Sequence, residues 1–244
     1  MKFAFILPIS LLFCACAPGT GPSIITPGQS GLGFLPQQAE KGRLFQYYQP
    51  KAGSRWRNNW TNKLDLTGVS WNDARTATLI SPNHVVMAAH FARPSDVAVM
   101  FHDKMGNPYE RYIIAVRPLA VGDIAVAKLN LPLPPEVKHY RLADADDAII
   151  GRAVITSDQT NTLSVHRIAA ISGGVVRLAF VPEINTIYQR NLIVGDSGHP
   201  SFLLENGELR LLETHSTGGA GAGPFYGDPQ VQAAIRAAMA AMGN

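Results

Sequence analysis

The chain has 244 residues and a net charge of +3, with 46% hydrophobic and 16% charged residues. That composition supports a sizeable core and excludes wholesale disorder, and so mild a charge gives no ground for nucleic-acid binding. Its two cysteines, Cys14 and Cys16, lie within the first 16 residues, so an internal disulfide, a cysteine nucleophile and a thiolate zinc site are excluded from the body of the chain.

Residues 1–17 read as an export signal: Lys2 opens it, a nearly continuous apolar run follows to Phe13, and the run is too short to span a bilayer. Two processing patterns overlap there. Ala15-Cys16-Ala17 fits cleavage after Ala17, whereas Phe13-Cys14-Ala15-Cys16 resembles a bacterial lipobox with Cys16 as the lipidated first residue. The lipoprotein reading is favoured, because it accounts for a cysteine here and none later. It implies membrane anchoring through Cys16 and a periplasmic or cell-surface location; the other reading implies secretion. Residues 18–63 read as a tether rich in Pro, Gly, Gln and Ser as far as Pro50, followed by a lead-in segment with Trp56, Arg57 and Trp60.

From Leu64 the pattern becomes short apolar runs separated by turn residues. Strands are predicted at 66–71, 76–80, 85–89, 97–101, 112–116 and 124–129, enough for a first antiparallel barrel over 64–131. Leu131-Pro132-Leu133-Pro134-Pro135 reads as a linker. A second barrel over 140–227 is predicted from runs at 153–157, 163–171, 175–180, 186–188, 201–204 and 209–214, with Asn206-Gly207 as a hairpin turn. Residues 228–242 read as a helix capped by Asp228, with Pro229 at its first position and Val231, Ile235 and Met239 or Met242 facing the body. The expected fold class is therefore all-β, two antiparallel six-stranded barrels with a C-terminal helix.

Three motifs carry chemistry. Ala88-Ala89-His90 ends an apolar run, Asp123-Ile124-Ala125 begins another, and Gly195-Asp196-Ser197-Gly198-His199-Pro200 follows a third. A serine hydroxyl needs a base to become a nucleophile, and the base needs an orienting group. In this order and spacing the three motifs resemble those of the chymotrypsin-like (trypsin-like) serine peptidases, over roughly residues 64–242. The departures are Met87, where that family usually has Thr or Ser, and His199, where it usually has a second glycine. The resemblance implies His90 as base, Asp123 as its orienter, Ser197 as nucleophile, and an oxyanion hole from the N–H groups of Gly195 and Ser197. It implies a peptide or protein substrate and an acyl-enzyme, without a cofactor.

Counting six positions back from Ser197 puts Asn191 at the family's pocket base, which is neutral and does not favour Arg or Lys before the cut. Thr214, His215 and Ser216 belong to the segment expected to form the pocket wall, with Thr214 hydrogen-bonding Asp123; His215 beside the pocket reads first as a packing residue, with a preference for acidic side chains as the alternative. The run from Gly218 to Gly223 reads either as a pocket rim or as a loop without a role. Asp196 needs a partner, because no sequence for activation by N-terminal cleavage is present. His84 and His90 lack a carboxylate partner at ligand spacing, so no metal is indicated. An esterase-like hydrolase and a surface binding module are the competing functions, and a monomer is expected.

Overall fold

The computed structural model describes residues 31–71 and 75–243; the segment read as an export signal, with Cys16, lies outside them. Fourteen strands and one helix are present among the described residues. The first sheet has the order β4(Thr78–Ser81), β5(His84–Ala88), β8(Ile124–Leu129), β7(Pro108–Pro118), β6(Ala98–His102). The second has the order β13(Glu208–Thr214), β12(Pro200–Glu205), β9(Ala153–Asp158), β10(Thr162–Ser172), β11(Val175–Phe180), β14(Ala222–Pro224), with β1(Gly42–Arg43) added on β10. Every pairing in both sheets is antiparallel. The two sheets curl into the expected all-β, two-barrel architecture, with five strands rather than six in the first sheet and six plus β1 in the second.

The central strands read as unbroken apolar runs because both their faces are buried. In β5, Val85 and Met87 enter the first barrel's core while Val86 joins the core shared between the barrels. In β8, Ala125, Ala127 and Leu129 point the first way and Ile124 and Val126 the second. The second sheet repeats this, with Val154, Leu203 and Leu212 inside their barrel and Ile155, Phe202 and Leu211 in the shared core. A side-chain period of two delivers this division without any change of backbone. The strands that carry the site are thus clamped from both sides.

Four local expectations are corrected. Residues 66–71 form turns, joined to the sheet only through a bridge from Val69 to Thr78; Asp65 accepts from the Thr67 N–H and turns the chain there. Residues 186–188 form a 3-10 turn rather than a strand, capped by the Asn185 side chain on the Ile187 N–H. For the Gly-rich run it is the reading as a loop without a role that is corrected: Gly218 lines the cleft beside Ser197, and the run ends in β14, which pairs with β11. The expected tether ends earlier than Pro50: β1 lies on β10, β2(Phe45–Gln49) pairs with β3(Gly53–Trp56), and Leu44 is fully buried. Glycine is required at 42, where a Cβ would stand 2.5 Å from the Leu163 carbonyl oxygen.

Helix α1(Pro229–Met242) begins as expected, with Asp228 accepting from the Gln230 N–H and Pro229 at the start. Val231, Ile235 and Ala238 are buried, Met239 and Met242 pack beside them, and Lys128 donates to the carbonyls of Met242 and Gly243. No described helix is long and apolar enough to cross a membrane.

Candidate active site

Strand register brings His90 and Asp123 together. Ala88 at the end of β5 pairs with Ile124 at the start of β8, so the residues just beyond this pair share one end of the sheet. The Ala89 N–H donates to the Asp123 carbonyl, and His90 follows in a 3-10 turn. Ser197 comes from the second barrel, in the turn that enters β12. Gly198 permits the approach, with a φ of +84° and a hypothetical Cβ only 3.3 Å from the Thr76 carbonyl oxygen.

The three side chains form one line. His90 Nδ1 lies 2.5 Å from Asp123 Oδ2, and His90 Nε2 lies 2.9 Å from Ser197 Oγ. A carboxylate only accepts, so Nδ1 carries the proton and Nε2 is the acceptor for the serine hydroxyl. Asp123 also accepts from the His90 backbone N–H at 2.8 Å and from the Ser216 hydroxyl at 2.8 Å. Partial burial pushes the Asp123 carboxyl up, but these donors outweigh it and hold the group below its ordinary value. The His90 side chain is 48% exposed, open to an incoming ligand.

The loop before the serine is latched from within. Asp196 is 1% exposed and accepts from the Gln159 N–H at 3.0 Å and the Ile193 N–H at 2.7 Å. These two backbone donors satisfy a carboxylate that the sequence left without a partner. The Gln159 side chain donates to the Val194 carbonyl and lies so close to Gly195 that a Cβ there would stand 2.6 Å from it. Gly195 has a φ of +101°, so its backbone conformation requires glycine. Among the described residues neither the Gly195 nor the Ser197 N–H donates a hydrogen bond, which leaves both for a ligand.

The residues predicted to line the pocket separate. Asn191 is exposed and outside the cleft. Thr214 is buried and bonded to Tyr226 Oη at 2.8 Å, so it is Ser216, two residues on, that reaches Asp123. His215 is 1% exposed, with Nδ1 2.8 Å from Glu213 Oε1 and Nε2 on the Ser157 carbonyl; both ring nitrogens are engaged, which fits the packing reading and disfavours the alternative of acidic recognition by this ring. Burial pulls the His215 ring down, and the Glu213 carboxylate more than offsets it, leaving the ring above its ordinary value. The cleft of about 550 Å³ is instead walled by residues 192–194 and 216–218 around His90 and Ser197.

Gln159, Leu192 and Thr217 were not singled out from the sequence. Gln159 stands 35 positions from Val194 and carries no local signal, while Leu192 reads as an ordinary strand residue. Among the described residues no group of three or more His, Cys, Asp or Glu is placed to hold a metal ion. No protein-family model and no curated protein matches the chain.

Proposed function

We propose that the chain is an exported serine endopeptidase of the chymotrypsin-like type, acting through an acyl-enzyme. The observation that carries this reading is the continuous line Asp123–His90–Ser197, at 2.5 Å and 2.9 Å, beside two unengaged N–H groups. Ser197 Oγ attacks the scissile carbonyl and His90 Nε2 takes its proton. His90 then returns that proton to the leaving amine, and a water repeats the sequence on the ester. Asp123 fixes the tautomer and stabilises the imidazolium without taking the proton itself. The N–H groups of Gly195 and Ser197 receive the oxyanion, an interaction worth about 3 kcal/mol per donor in the transition state.

The Asp196 latch supports activity without a maturation cleavage, since its carboxylate is already satisfied by the amides of Gln159 and Ile193. Export and attachment through Cys16 belong to the same proposal and place the substrate outside the cytoplasm.

The test is labelling of the purified protein with a fluorophosphonate probe. Wild type labels at Ser197, while Ser197→Ala and His90→Ala do not, and peptide turnover by Ser197→Ala falls by roughly 10⁶-fold. A folded wild type that does not label refutes the reading, and labelling that survives in Ser197→Ala assigns the wrong serine.

A further inference from the structure

We infer that the cleft takes a small, uncharged side chain immediately before the scissile bond, and that Leu192 sets this limit. The inference rests on the peptidase reading above and adds the substrate class. The two cleft walls are joined at their inner end: the Leu192 N–H donates to the Gly219 carbonyl at 2.7 Å, and the Gly219 N–H returns a bond of 3.0 Å to Leu192. Gly218 lies so near that a Cβ on it would stand 2.8 Å from the Leu192 carbonyl oxygen. No long side chain passes between walls in such contact.

The space behind is filled as well. Leu192 is 3% exposed, and a Cβ on Gly221 would meet its Cδ1 at 2.8 Å, with Leu178 Cδ1 at 3.6 Å and His215 Nδ1 at 3.7 Å. A Leu or Phe side chain would have to displace Leu192 from this packing. Charge finds no partner there either. Both Asp196 oxygens are held by backbone N–H groups, both His215 nitrogens are engaged, and Asn191 faces solvent. A Glu side chain would lose its water without compensation, and a Lys or Arg side chain would reach only Asp196, which is 1% exposed and already held by two backbone donors. Alanine, serine or glycine fits the remaining depth.

The experiment compares kcat/KM for peptide p-nitroanilides that differ only in the residue before the cut: Ala, Ser, Leu, Phe, Lys and Glu. Fluorophosphonate labelling runs in parallel, because that probe carries no such side chain. Wild type is expected to favour Ala and Ser over the other four by roughly ten-fold or more. Leu192→Ala and the milder Leu192→Val are expected to raise the Leu-to-Ala ratio by a similar factor. Labelled wild type that prefers Leu, Phe, Lys or Glu overturns the inference and leaves the peptidase reading standing. An unchanged ratio in a labelled Leu192 variant overturns it too, and absence of labelling in wild type removes the peptidase reading itself. The wild-type ranking decides the matter even if Leu192→Ala does not fold.

Discussion

His199 makes the stability of the fold depend on pH in a way that one substitution isolates. The ring is fully buried, bonded to Thr76 Oγ1 at 2.9 Å through Nε2 and packed 6.2 Å from the Trp71 ring centroid. Burial, together with the nearby positive charges of His215 and Arg190, lowers its pKa from 6.5 to about 3. The unfolded chain therefore takes up a proton that the folded chain refuses. The neutral ring's contribution is complete above pH 6.5, declines as pH falls, and is exhausted near pH 3. Between pH 7 and 4.5 this amounts to about 3 kcal/mol, at about 1.4 kcal/mol per pH unit below the ordinary pKa. His166, lowered to about 4 chiefly by burial, adds a loss of the same sign. His215 is raised, so its contribution is lost as pH rises and does not add to the acid loss.

The assay is urea unfolding of wild type and His199→Asn at pH 7 and pH 4.5. The variant is less stable at pH 7, but its loss on acidification should be smaller than that of wild type by about 3 kcal/mol. Comparing the two losses removes the packing cost of the substitution. Equal losses in the two proteins would refute the reasoning, since they would mean that His199 gains its proton as readily in the folded chain.

Asp196→Ala leaves the Gln159 and Ile193 N–H groups without their acceptor, at about 1–3 kcal/mol for each group that stays dry. Unfolding midpoint and labelling rate should both fall, and retention of wild-type labelling would show that the latch does not hold the loop. Ser216→Ala removes a donor to the Asp123 carboxylate and should lower kcat by roughly ten-fold with KM little changed, a loss in keeping with a charge-assisted hydrogen bond. Thr214→Val leaves the buried Tyr226 hydroxyl without its partner and should appear in urea unfolding as about 1–3 kcal/mol, with kcat retained.

The two barrels and the meeting of His90, Asp123 and Ser197 were legible because their signals are local. His90 and Asp123 each stand at the end of an apolar run, and pairing of those two runs brings them together. Ser197 is marked by the glycines that flank Asp196 and itself. The pocket was not legible, because counting back from Ser197 assumes a loop conformation that distant contacts decide. The bonds between Leu192 and Gly219 and the hold of Gln159 on Val194 and Gly195 span 27 and 35 positions or more. The composition of residues 18–50 likewise suggested a tether, since nothing local announces that Gly42 will pair with Leu163. Thr214 was expected on Asp123 because the choice between Thr214 and Ser216 is one of reach. Both share a strand parity, and only the second extends past the edge of the barrel to the first sheet.

That parity links the Asp123–His90–Ser197 line to the second barrel's interior. Along residues 213–216 the side chains alternate, with Thr214 and Ser216 serving Tyr226 and Asp123, and Glu213 and His215 turned the other way into a buried ion pair. The pair is accommodated by Gly223, where a Cβ would stand 2.1 Å from Glu213 Oε2. The backbone continues the connection: the His215 N–H donates to the His199 carbonyl, and the Gly198 N–H donates to the His215 carbonyl. The segment that carries Ser197 is therefore tied to the segment whose Ser216 orients Asp123, with no disulfide between them. Polar groups buried in this way are costly when half-satisfied and rigid when complete.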